Sequence, residues 1–178
     1  MVRVFAGLAL SNGLLFLGTA VAGLLRLGGS ADRHVLLAVI TLIFTCFLQV
    51  LTFTYFTVTG KMIGQMVHLA GLDPEPLVAV RRTKKAMTRQ LGVVMAGVVL
   101  VAATGGALWR GGSSSLWHVA AGALTILVYL VVAYRQFNLI VLNTRLVDRV
   151  ARTYRIQKQR HNGCGVDDKV LPASAPAS

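Results

Sequence analysis

Four uncharged runs dominate the chain: Val4–Leu25, Val35–Gly60, Gln90–Trp109 and Gly111–Tyr134. Each reaches or passes the about 20 residues that a helix needs to cross about 30 Å of hydrocarbon. Runs this long leave few folds open. A β-barrel would need alternating segments of about 10 residues, and no such alternation is visible. Only 13% of the 178 residues are charged and the mean hydropathy is +0.68, against about 25% charged in a soluble domain. The expected fold is all-α: a polytopic membrane protein, a four-transmembrane-helix bundle with cytoplasmic extensions of helices 2, 3 and 4. Its helices fall near 4–25, 35–60, 90–109 and 116–134, the last continuing to about 160. Residues 1–160 form the membrane domain and 161–178 a disordered tail, ending in the small, proline-broken "VLPASAPAS".

Orientation follows from the 18 Lys and Arg. Lys61, Arg81, Arg82, Lys84, Lys85 and Arg89 lie between runs two and three. Arg135, Arg145, Arg149, Arg152, Arg155, Lys158, Arg160 and Lys169 follow run four. Together with Arg3 they face Arg26, Arg33 and Arg110 on the other side. The positive-inside rule therefore puts both termini in the cytoplasm of a bacterial inner membrane. The net charge of +12 is then explained by topology and anionic lipid headgroups rather than by nucleic acid, for which no motif is present. The first run has a second reading as a signal peptide, with Ala20-Val21-Ala22 as its cleavage site. Its 22 apolar residues exceed the usual core of about 7–15.

Helix 1 carries Gly7-x3-Ser11 and Gly18-x3-Ala22, and helix 3 carries Gly92, Ala96, Gly97 and Ala103; such spacings allow close helix approach in lipid. Gly71 is expected to cap helix 2, and Asp73-Pro74 to start helix 3. From Arg135 to Arg160 no Pro or Gly interrupts helix 4. Arg145, Arg149, Arg152 and Arg155 form a basic stripe there, suited to anionic headgroups or to another membrane-protein subunit.

Two polar stripes stand out. At steps of three and four, helix 2 reads His34, Ala38, Thr41, Thr45, Gln49, Thr52, Phe56, Thr59. Helix 4 reads His118, Gly122, Thr125, Tyr129, Ala133, Gln136, then Asn143. Both helices run the same way, so His34 and His118 fall at equal depth. Polar groups in a bundle face inward, and threonines also bond the carbonyl one turn back. Two inward imidazoles could ligate one haem b, with Ala38, Gly122, Thr41 and Thr125 lining the site and the iron the only metal. Equally, a lone histidine at the interface, beside Arg33 or Trp117, needs no ligand. Two histidines are too few for zinc or copper without a third ligand, and His161 with Cys164 makes half a metal site.

The residues "YFTVTGKMIGQ" (Tyr55–Gln65), with the Tyr-Phe-x-x-Thr-Gly-Lys pattern, and "NLIVLNTRLVD" (Asn138–Asp148) resemble those of a group of small bacterial four-helix membrane proteins. That resemblance implies the fold and no activity. No carboxylate lies in any span, which argues against a proton-coupled transporter, and no charged residue lines a path for a channel or carrier. No phosphate loop, catalytic serine motif or acid pair appears. The chain therefore reads as a non-catalytic accessory or structural subunit of a membrane complex, or alternatively as a membrane-bound b-type cytochrome.

Overall fold

A computed structural model describes residues 2–24, 31–109 and 115–163. It holds four helices: α1 (Val2–Leu24), α2 (Ala31–Ala70), α3 (Glu75–Trp109) and α4 (Ser115–Gly163). All four are long and apolar enough to cross a membrane. Residues 25–30 and 110–114 and the tail from Cys164 lie outside the described residues. α4 runs three residues past the expected limit of 160.

The hairpin between α2 and α3 is built by local chemistry. Gly71 has a φ of 57°, the left-handed conformation that glycine adopts without steric cost. Its N–H donates to the His68 carbonyl at 3.4 Å, and the Leu72 N–H to Val67 at 3.0 Å. This is the paired bond pattern that closes a helix C-terminus. Leu72 then packs on the cluster that contains Val67. Two residues on, Asp73 Oδ1 accepts from the Glu75 N–H at 3.0 Å and caps α3.

α2 and α4 run parallel and touch along the bundle axis, while α1 and α3 each pack against both of them. Three apolar clusters fill the bundle. Val94, Val98, Tyr129 and Val132 lie toward the end that carries His34 and His118, here the histidine end. Phe5, Leu48, Phe56, Met87 and Ile140 occupy the middle. Ile63, Val67, Val80 and Val150 fill the opposite, arginine end. Phe5 of α1 is therefore part of the core. The exterior is apolar too: Leu10, Leu14, Ile43, Phe47, Leu124 and Leu127 are among many exposed large side chains.

The small-residue spacings do not act as expected. Cβ atoms added at Gly7, Gly18 or Gly92 would meet nothing within 4 Å. The inner face of α1 is set by Phe5 and Asn12, which turns Gly7, Ser11 and Gly18 outward. Close approach occurs instead at Gly97, one of the small residues noted on α3, and at Gly23 and Gly105, as described below.

Candidate functional site

Both polar stripes face the interior. Thr41, Thr45, Gln49, Thr52 and Thr59 of α2 are buried, as are Thr125, Gln136 and Asn143 of α4. Most of the threonines bond the carbonyl one turn back: Thr41 to Leu37, Thr45 to Thr41, Thr52 to Leu48, Thr125 to Ala121, at 2.7–2.8 Å. These bonds remove most of the cost of a buried hydroxyl.

The register of α2 on α4 is nearly constant. Gln136 Nε2 donates to Gln49 Oε1 at 3.0 Å, Asn143 Nδ2 to Thr59 Oγ1 at 2.8 Å, and the Tyr55 and Thr144 hydroxyls lie 2.9 Å apart. Toward the histidine end the same register brings His34 opposite His118. Their ring centres are 6.2 Å apart and their planes are at 89°.

Neighbouring helices hold each ring. His34 Nδ1 lies 3.2 Å from the Thr19 carbonyl of α1. A carbonyl only accepts, so Nδ1 carries the proton. His118 Nδ1 lies 3.3 Å from Thr104 Oγ1 of α3. That hydroxyl donates to the Leu100 or Val101 carbonyl, both at 3.0 Å, so its oxygen accepts from Nδ1–H. With the proton on Nδ1, each ring leaves its Nε2 lone pair for a ligand.

Glycines make this approach possible. A Cβ on Gly23 of α1 would lie 2.8 Å from His34 Cε1, and one on Gly105 of α3 would lie 3.1 Å from His118 Cε1. Gly97 likewise admits Thr125, whose hydroxyl is 3.3 Å from its carbonyl. Ala38 and Gly122, one turn in from the histidines, are half-buried. A Cβ on Gly122 would meet nothing within 4 Å.

The network below the rings differs from the expected one. His34 reaches Thr41 through Thr19, whose hydroxyl is 2.8 Å from that of Thr41, whereas His118 turns to Thr104 rather than to Thr125. Asn12, Thr19, Thr104, Gly23 and Gly105 were not among the expected site residues. Asn12 is fully buried and accepts from Thr45 at 3.1 Å. Its signal was available in the sequence: a lone amide inside an otherwise apolar run.

No protein family, curated protein or solved structure matches this chain.

At the arginine end, Arg145, Arg149, Arg152 and Arg155 are all exposed. Beside them Val150 is 3% exposed, packed with Ile63, Val67 and Val80. α4 is thus packed on the α2–α3 hairpin through Leu146, Val147 and Val150. Among the described residues no group of three His, Cys, Asp or Glu gathers to hold a metal ion. Cys46 is a free thiol; Cys164 and the side chain of His161 lie outside the described residues.

Proposed function

We propose that the chain is a multi-pass protein of a bacterial cytoplasmic membrane, with both termini cytoplasmic, that serves as a non-catalytic accessory subunit. In this reading its arginine end is a docking stalk for an acidic protein partner. The observation that carries it is the packing of α4 on the α2–α3 hairpin with its arginines left exposed.

Depth favours a partner over lipid. With His34 and His118 at one boundary, about 30 Å of hydrocarbon takes about 20 residues of helix and ends near residue 138 of α4. The Lys84 ammonium, 5.7 Å from the Phe53 ring, marks a similar level on α2. At 1.5 Å per residue, Arg149 then stands about 16 Å and Arg155 about 25 Å beyond the hydrocarbon. The headgroup layer is only about 6 Å deep, and surface charge is screened over about 8 Å at physiological salt. Arg145 remains near enough for anionic lipid. Arg149, Arg152 and Arg155 lie farther out along a helix that packs on the α2–α3 hairpin through Val150. Upright, exposed and unpaired with any acid among the described residues, they suit an acidic surface.

The resemblance to small bacterial four-helix membrane proteins supports the fold in this reading and adds no activity. A reporter fused after Ser178, or near Pro76, is expected to be active only in the cytoplasm, and one near Ser114 only outside. In mild detergent the chain should migrate in a complex larger than itself. Arg149, Arg152 and Arg155 replaced together by Glu should release it, and replacement by Gln should weaken it less. Migration alone, or release insensitive to the sign of the charge, would refute the docking stalk.

A further inference from the structure

The bundle treats its two polar stripes differently along their length. Toward the arginine end, α2 bonds α4 directly. Toward the histidine end, no side-chain bond joins α2 to α4 among the described residues. There α2 turns its polar groups to α1, through His34, Thr41 and Thr45. α4 turns its own to α3, through His118 and Thr125. Two imidazoles are left opposite each other across that stretch of the seam.

We propose that His34 and His118 are the axial ligands of one haem b seated in that seam. The inference concerns binding alone and is independent of docking at the arginine end.

Four observations support it. The first is distance. With metal–imidazole bonds of about 2.0–2.1 Å, an ion held between two Nε2 atoms sets the ring centres about 6.3 Å apart. The observed separation is 6.2 Å. Rings at 89° can still both contain a common nitrogen–metal–nitrogen axis. The second is protonation. Thr19 and Thr104 hold the proton on Nδ1 of each ring and leave both Nε2 lone pairs free. Outer partners of this kind orient ligating histidines and raise their basicity.

The third is room. The rings are flanked by Gly23 and Gly105, and one turn inward lie Ala38 and Gly122. A macrocycle standing perpendicular to the histidine axis would extend over those positions. Larger side chains at any of them would occupy its place, and Gly122 faces open space. The fourth is the ligand count. Zinc and copper sites draw three or four protein ligands, and no third His, Cys, Asp or Glu joins the pair among the described residues. A haem supplies four equatorial nitrogens and needs two from the protein. A facing pair of imidazoles matches that need.

The full chain should be produced with a haem supply, purified in detergent, and measured by visible spectroscopy, porphyrin extraction and elemental analysis. The expected result is one haem per chain, with a Soret band and split α and β bands on reduction. His34→Ala and His118→Ala should each abolish the two-imidazole spectrum. Because either change could disturb folding, Gly122→Leu provides a second arm: it keeps both ligands and fills the seat. It should lose haem while helicity and elution volume stay as in the unmodified chain. A colourless chain that does not take up added hemin would overturn the proposal. So would a histidine variant that keeps the two-imidazole spectrum, a Gly122→Leu variant that keeps its haem, or zinc or copper at one per chain without porphyrin.

Discussion

The two halves of the α2–α4 seam carry similar residues and use them in opposite ways. Near the arginine end, Gln49, Tyr55 and Thr59 cross to Gln136, Thr144 and Asn143, and the helices are bonded face to face. Near the histidine end, Thr41 and Thr45 reach sideways to Thr19 and Asn12, and Thr125 to the Gly97 carbonyl. Each cross-seam pair of the bonded half contains an amide or a tyrosine, whereas the threonines of the parted half bond groups on α1 or α3. The choice of partner thus divides one interface into a bonded half and a parted half.

If that division is real, the largest loss should come from the bonded half. Gln136→Leu removes the only partner of a Gln49 side chain whose Nε2 already lacks one. Stranding a buried amide costs about 1–3 kcal/mol, measurable as a shift in the unfolding midpoint in mixed detergent. Adding Gln49→Leu should recover most of the loss, since both polar partners are then gone. A double variant no more stable than the single one would mean that the pair is not coupled.

Thr59→Val should follow at about 1 kcal/mol, because it deprives Asn143 Nδ2 of its acceptor and its Oδ1 is already unpartnered. In the parted half, Gly23→Ala tests close packing. The new Cβ would stand 2.8 Å from His34 Cε1 and 3.0 Å from Nδ1. Overpacking costs about 1–3 kcal/mol. The value here should fall at the low end, since among the described residues no bond to α4 holds the ring in place. Nuclear magnetic resonance of the His34 ring should report that displacement. A cost as large as that of Gln136→Leu would indicate a seam closed at both ends.

Much of this was legible in the sequence. Steps of three and four along α2 and α4 identify the buried faces, from Thr41 to Thr59 and from Thr125 to Asn143, because a helix in an apolar surround has one consistent place for its polar groups. Equal offsets predict that the histidines meet, since two parallel helices rise at the same rate. The hairpin signals at Gly71 and Asp73 are purely local. The partners on α1 and α3 were not legible. Antiparallel neighbours share no common offset, so nothing in the spacing sets Thr19 beside His34 or Thr104 beside His118. Glycine spacing misled for a related reason: it marks where approach is possible, and only the inner face, fixed by Phe5 and Asn12, decides which glycines are used. Gly7 and Gly18 face away, whereas Gly97 of α3 is used as expected and Gly23, also among the small residues of α1, makes the closest approach.

The smallest expected effect is the sharpest test of the parted half. Thr41→Val removes the hydroxyl that lies 2.8 Å from Thr19 Oγ1, yet it strands nothing. Thr19 keeps its bond to the Leu15 carbonyl at 2.8 Å, and Thr41's own bond ran to the Leu37 carbonyl, already within the helix. Side-chain bonds between helices in apolar surroundings average about 0.6 kcal/mol, and Thr41→Val should lose no more than that. Thr59→Val is the same chemical change on the same face of α2, about five turns farther along, where the partner is an amide that has no second bond. The difference between the two variants therefore isolates what the bonded half adds, with side-chain volume and helix propensity held equal. Equal losses at Thr41 and Thr59 would show that α2 is held alike along its whole length, and the parted half would lose its physical basis.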